Sequence, residues 1–305
     1  MHSTYPIQFL RRTLAILLVG LIAQEMLPSA FAQDITVEEA VTYSKIDDVE
    51  LQLDIASPKE GKGPYPTIVF IHGGGWSLGH RKTFRTAIQT AARRGYVGAT
   101  ISYRLTEPDP VTNLGKHPFP AQIQDCKCAI RWLRSMADKY HIDKDRIGAT
   151  GNSAGGHLSL LIGMAAHEKS FEDDRIPDQP STVKAVVNYY GPTELVSEYN
   201  EAEKVREFLV PLCNGTPETV AEIYKLASPL NYVTKQLPPI LTLHGEEDKL
   251  VPLSQAQKLD EALKKAGAHH ELQTFPNMGH VITGDSAVKA SEAMWAFFDR
   301  HVKGS

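Results

Sequence analysis

The chain alternates short apolar runs with longer stretches in which apolar positions recur every three or four residues. Pro66 to Ile71 (PTIVFI) is continuously apolar, as a strand covered on both faces must be. Tyr96 to Tyr103, Arg146 to Thr150, Val183 to Tyr189, Ile240 to Leu243 and Glu271 to Phe275 read as further strands. Val49 to Ile55 alternates apolar with polar, the pattern of a half-exposed strand. Between these runs, Thr83 to Arg94, Ala121 to Tyr140, Ala154 to Ala166, Ser254 to Ala266 and Ser286 to His301 carry helical spacing. Strand following helix in this way predicts an α/β fold, with a mostly parallel central sheet and helices on both faces. Ligands of such sheets bind outside the carboxyl ends of the strands. Residues 191–238 break the alternation with five prolines and with helical pieces over Glu201 to Leu209 and Pro217 to Leu226. They read as a small cap-like insertion over that edge.

The amino terminus follows a different rule. Arg11 and Arg12 precede an apolar run of about ten residues from Leu14, too short for the roughly 20 needed to cross a bilayer. Pro28 and the sequence Ala30-Phe31-Ala32 follow. A basic start, a short apolar core and a small-x-small site make a secretory signal peptide over residues 1–32, with cleavage after Ala32. Residues 33–305 then form a single domain, secreted or periplasmic, with no stable membrane insertion. The Arg pair leaves Sec and twin-arginine export both open. An oxidising compartment draws attention to Cys126, Cys128 and Cys213. The first two are two apart on a helix and face different ways, so the expectation is three free thiols. The 305 residues are 42% hydrophobic, enough for a full core, and the net charge of −4 implies no pull toward nucleic acid.

The chemistry concentrates where strands end. Gly151-Asn152-Ser153-Ala154-Gly155 follows a strand and opens a helix, the context required of a nucleophile elbow. Ser153 is the candidate nucleophile. The helix behind it aims unpaired N–H groups at the site. His72-Gly73-Gly74-Gly75-Trp76 follows another strand. Gly74 and Gly75, with the amide of Ala154, are candidates for an oxyanion hole, each donor worth about 3 kcal/mol in a transition state. A phosphate loop would need a different glycine spacing. A serine needs a base and the base an orienting acid. His280 follows the last strand, and Asp248 lies in a loop after the strand before it, so the order is Ser153, Asp248, His280. Glu246 and Glu247 compete with Asp248 for the acid's place. Among the twelve histidines, His72 and His244 suit loop-holding roles, His157 suits packing, and His269 and His270 are adjacent and cannot share one ion on a strand. No H-E-x-x-H or C-x-x-C pattern occurs, so no metal and no organic cofactor is expected. Asp173, Asp174 and Asp178 read as a solvated acidic loop. Tyr189, Tyr190 and Trp76 stand near strand ends, where stacking on a sugar or aromatic group competes with core packing.

HGGGW, GNSAGGHLSLL, and HGEEDKLVP followed by NMGH resemble secreted α/β-hydrolase fold carboxylesterases of the acetyl-xylan and feruloyl type, with the hormone-sensitive-lipase group a close second. The resemblance covers Val49 to His301. Asn152 stands where the hormone-sensitive-lipase group has an acid, and the E-E-D-K-L-V-P loop is nearer the prolyl-oligopeptidase style. The resemblance implies the α/β-hydrolase fold and the same site: Ser153, Asp248, His280, and amides of Gly74, Gly75 and Ala154. It implies a serine carboxylesterase acting on a small-molecule or polysaccharide-linked ester. Two other readings stay open, a prolyl-oligopeptidase-like peptidase and an inactive binding module. The peptidases normally add a propeller, for which 273 residues leave no room. Oligomeric state and the natural ester are not legible.

Overall fold

Strand β3 (Tyr65–Ile71) shows why the apolar runs are continuous. In a computed structural model describing residues 34–46 and 48–304, its side chains divide between two cores. Val69 and Ile71 join a cluster on one face, and Ile68 and Phe70 join another on the opposite face. Both faces are dry, so both phases of the alternation must be apolar. Around β3 the sheet comprises β1 (Ile35–Ile46), β2 (Val49–Pro58), β4 (Val97–Ile101), β5 (Ile142–Asn152), β6 (Ala185–Tyr189), β7 (Ile240–Gly245) and β8 (His270–Phe275). The spatial order is β1-β2-β4-β3-β5-β6-β7-β8. From β4 to β8 every pairing is parallel, whereas β1 and β2 run antiparallel at one edge. The proposed signal segment, residues 1–32, lies outside the described residues.

Helices cover both faces. α1 (Arg85–Arg93) buries Ala87, Ile88, Ala91 and Ala92 beside α9 (Gly284–Phe298), which supplies Trp295, Phe297 and Phe298. The other face carries α2 (Ala121–Ser135) and α4 (Ala154–Met164), and Leu259 and Leu263 of α8 (Leu253–Ala266) pack there against Leu160 and Met164. The helix expected over Ala121 to Tyr140 is two, because the chain turns at Met136 before a short α3 (Ala137–Tyr140).

Two further expectations need amendment, and one strand went unread in the sequence. β1 was not legible as a strand: it is an edge strand with two irregularities in register, so its apolar positions do not alternate cleanly. Asp173 is not simply solvated. It pairs with Arg131 and Arg175, and Arg175 also reaches Asp125, which is fully buried against Arg104. The helix expected over Glu201 to Leu209 is divided at Ala202 into α5 (Leu195–Glu201), a 3-10 turn, and α6 (Arg206–Cys213).

The segment joining β6 to β7 contains α5, α6 and α7 (Ala221–Leu226). Leu195, Leu209, Leu212, Tyr224 and Ala227 from it belong to the same apolar cluster as Val69 and Leu158. This segment is therefore continuous with the core beneath it. Cys126, Cys128 and Cys213 are all buried and free.

Candidate active site

Asn152 is the last residue of β5 and Ala154 the first of α4, so one residue must reverse the chain. That residue is Ser153, held at φ 54° and ψ −121°. A side chain rarely takes this conformation, and it persists only where the surroundings impose it. The surroundings here are backbone. A methyl group on Gly151 would lie 2.5 Å from the Gly155 and Ile71 carbonyls, and one on Gly155 would lie 2.0 Å from the Ile71 oxygen. Both flanking glycines are thus demanded by close approach between the elbow and the end of β3. The Ser153 amide donates to the Tyr189 carbonyl (2.9 Å), tying the turn to β6 as well.

Three strand ends bring three side chains together. His280 Nε2 lies 2.9 Å from Ser153 Oγ, and His280 Nδ1 lies 2.8 Å from Asp248 Oδ2. Asp248, 5% exposed, accepts at Oδ1 from the amides of Leu250 (2.8 Å) and Val251 (2.9 Å). A carboxylate only accepts, so His280 carries its proton on Nδ1 and leaves Nε2 free to take one from the serine. Glu246 and Glu247 are both exposed, and Glu246 is engaged by Thr274 Oγ1 (2.7 Å). Neither approaches the imidazole as Asp248 does.

His244 and His72 hold loops. His244 Nε2 donates to the Val251 carbonyl (2.8 Å), and burial lowers its pKa, so it fastens the Asp248 loop as a neutral ring. His72 stacks on Tyr103 at 4.4 Å, bonds the Gly73 carbonyl through Nδ1 (2.8 Å), and is pushed by burial down to about 4.

Gly74 and Gly75 have φ of 120° and 57°. The Gly73 amide donates to Asn152 Oδ1 (3.0 Å), which joins this loop to the elbow. That is the work of the residue that replaces the acid of the hormone-sensitive-lipase pattern. The amides of Gly74, Gly75 and Ala154 donate to no acceptor among the described residues. These amides are therefore free to donate to an acceptor from outside the chain.

Three contacts here were not legible in the sequence. The Tyr190 ring packs edge-on against His280 at 4.8 Å. Phe208 of α6 lies over Gly75, where a methyl group would meet its ring at 2.3 Å. Trp76 is 3% exposed and its indole donates to His157 Nδ1 (3.2 Å), so it is a core residue and unavailable for stacking on a ligand. Its place directly after the three glycines was the available signal.

Elsewhere among the described residues, His269, Glu271 and His301 have ligand atoms within 4.8 Å of one another. They lie at the opposite end of β8 from His280, and Arg300 already engages both Glu271 oxygens (2.9 and 3.1 Å). No helix among the described residues is long and apolar enough to cross a membrane.

Known proteins resemble this chain in sequence and in fold. Esterase LipC of Mycobacterium tuberculosis is 32% identical over 223 residues, which is 72% of this chain and 53% of LipC. The chain spans about half the length of the curated relatives it matches. Among solved structures, a truncated carbohydrate esterase from gut microbiota superposes with a TM-score of 0.73 at 30% identity, covering 89% of this chain and 97% of that one. A thermophilic esterase from the Planctomycetes species Thermogutta terrifontis gives 0.70 at 29% identity, covering 89% and 94%. The model of the BD-FAE family matches residues 53–263, and with the eight-stranded sheet and its covering helices this makes the chain a member of the BD-FAE family with the α/β-hydrolase fold.

Proposed function

We propose that the protein is a serine carboxylesterase that acts through an acyl-enzyme on short-chain or carbohydrate-linked esters such as acetyl and feruloyl esters. The observation that carries this reading is the hydrogen-bonded line from Asp248 through His280 to Ser153, beside three unpartnered amides. As Ser153 Oγ attacks the ester carbonyl, His280 Nε2 takes its proton. Asp248 steadies the imidazolium that forms. The carbonyl oxygen becomes an oxyanion facing the amides of Gly74, Gly75 and Ala154. The imidazolium then protonates the departing alcohol, and the same base draws a proton from water to release the acid. None of these steps calls for a metal or an organic cofactor.

Support for the ester class comes from relatives named as esterases and a structural neighbour named as a carbohydrate esterase. The Thermogutta enzyme has been solved with propionate and with butyrate bound, and phosphorylated by paraoxon. Phe208 against Gly75 narrows the space beside the amides, which favours short acyl groups. Export rests on the pattern of residues 1–32 alone.

Purified protein is expected to hydrolyse p-nitrophenyl acetate and to lose about 10⁶-fold in kcat as Ser153→Ala. Turnover surviving that change near the parental rate overturns the reading. A series of p-nitrophenyl esters of rising acyl length, with acetylated xylan and methyl ferulate, identifies the ester; strong turnover of long-chain triglycerides would contradict the short-acyl preference. One relative favours a second reading, peptide hydrolysis. It is an uncharacterized peptidase of Bacillus subtilis, 26% identical over 88% of this chain and 40% of its own length. Cleavage of aminoacyl anilides without cleavage of esters would support it.

A further inference from the structure

We propose that His157 is a positioning residue, the strut through which the segment between β6 and β7 holds the oxyanion loop in register with Ser153. The inference rests on the serine-esterase reading above. His157 is fully buried on α4, one turn beyond the nucleophile, and its amide donates to the Ser153 carbonyl (3.0 Å). Its two ring nitrogens reach in different directions. Nδ1 receives the indole N–H of Trp76 (3.2 Å), and Nε2 reaches the carbonyl of Ala227 (2.7 Å), just past α7.

The partners fix the tautomer. An indole N–H can only donate, so Nδ1 has no proton; a carbonyl can only accept, so Nε2 has one. Burial lowers the imidazole to about 4, which keeps the ring neutral at ordinary pH and preserves both bonds. The Trp76 ring also packs edge-on against His157 at 5.1 Å.

Trp76 is the residue that ends the run of glycines. It has φ 58°, and its carbonyl accepts from the Thr106 amide (3.0 Å). Gly74 and Gly75, at φ 120° and 57°, have no side chains with which to fix their own conformation. The peptide between them is held where the Gly74 carbonyl accepts from the amides of Ser77 (3.2 Å) and Leu78 (2.9 Å), and this turn as a whole is placed by what anchors its ends. Asn152 anchors one end through the Gly73 amide, and Trp76, through His157, anchors the other. An oxyanion hole depends on donors held in advance, because its energy is realised only as charge develops. The strut is thus expected to act on kcat, with little effect on KM.

Three full-length variants test this: Trp76→Phe, His157→Leu and the double variant, measured for kcat and KM on p-nitrophenyl acetate and for thermal unfolding. Trp76→Phe keeps a ring in place and removes only the donor. Its kcat is expected to fall about tenfold, part of the 10²–10³ lost when a whole donor is removed, with KM changed by less than about twofold. His157→Leu strands a buried indole N–H and should lower the melting temperature as well. The double variant has no stranded donor, so it should regain stability relative to His157→Leu. Its kcat should remain at the level of the single variants, because one strut cannot be lost twice. Parental kcat in Trp76→Phe overturns the proposal, as do rate losses that multiply in the double variant or rates that follow melting temperature across the set. If His157→Leu does not fold, Trp76→Phe alone decides. The parental enzyme and Ser153→Ala run alongside: failure of Ser153-dependent turnover sinks the esterase reading, whereas intact turnover with an unaffected Trp76→Phe sinks only the strut.

Discussion

Two buried carboxyl groups, in different regions, show how this molecule handles charge. Asp248, in the loop after β7, is 5% exposed; Glu198, on α5 in the segment before β7, is 1% exposed. Asp248 accepts two amides and faces His280. Both oxygens of Glu198 lack a partner among the described residues. Burial raises its pKa to about 9, assisted by the negative charges of Asp248 and Glu201, so it is a neutral acid at pH 7. Burial alone thus does not make a carboxyl group useful to a histidine. What separates the two is the set of donors that the loop from Gly245 to Val251 supplies and α5 does not.

The largest expected effect is at the satisfied carboxylate. Asp248→Asn retains size but presents an N–H as well as an oxygen to His280 Nδ1, which disturbs the tautomer. A loss of about 10⁴-fold in kcat is expected. Glu198→Gln, assayed beside it, should change kcat by less than about twofold. Equal losses in both would erase the distinction drawn between them.

The same distinction marks what could be read from the sequence. The elbow and the meeting of Ser153, Asp248 and His280 were legible because their demands are local: glycines two positions from a strained turn, and a carboxylate and an imidazole in loops that follow strands. The central strands were legible because burial on both faces leaves no polar position. β1 was not, since its register irregularities hide the alternation and one edge faces solvent. The segment before β7 was read only as helical fragments, because its helices are under three turns long and are stabilised by contacts from distant residues. Glu198 was invisible for a related reason. A glutamate on a short helix reads as solvated, and only tertiary packing buries it.

A third carboxylate sharpens the rule for stability rather than rate. Asp125 on α2 is fully buried, and accepts from the Arg104 amide, from Arg104 Nε and a terminal guanidinium nitrogen, and from Arg175. Asp125→Ala leaves Arg104, 8% exposed, without its counter-charge. Denaturant unfolding should show a loss of about 3–5 kcal/mol. A loss below about 1 kcal/mol would mean that donors around a buried carboxylate matter less than the comparison requires.

Glu198 should behave in the opposite sense, and its sign depends on pH. The unfolded carboxyl ionises near its ordinary 4.5, while the folded one stays protonated to about 9. Between those values the unfolded chain binds fewer protons, so stability falls as pH rises across that window. Glu198→Gln is neutral in both states and lacks this slope. The variant should match the parent near pH 4 and exceed it by about 3 kcal/mol at pH 7, the free energy of ionising the unfolded carboxyl 2–3 units above its pKa. Unfolding curves at pH 4, 5.5, 7 and 8.5 measure the difference. A gap that stays constant with pH would show that Glu198 is ionised in the folded protein and has found a donor.

The smallest effects are expected at the two acids that compete with Asp248 in sequence. Glu246 and Glu247 are exposed, so solvent screens their charges and no buried donor depends on them. Glu246→Gln still accepts from Thr274 through its amide oxygen. Each change should alter kcat by less than about twofold and stability by less than about 0.5 kcal/mol. The measurement matters because the three acids are consecutive and chemically interchangeable on paper. Their separation by roughly four orders of magnitude in kcat would come from donors alone: two backbone amides and one imidazole that meet Asp248 and not its neighbours. A fall of a hundredfold in either glutamate variant would instead show that the loop shares the work of orienting His280 among several charges.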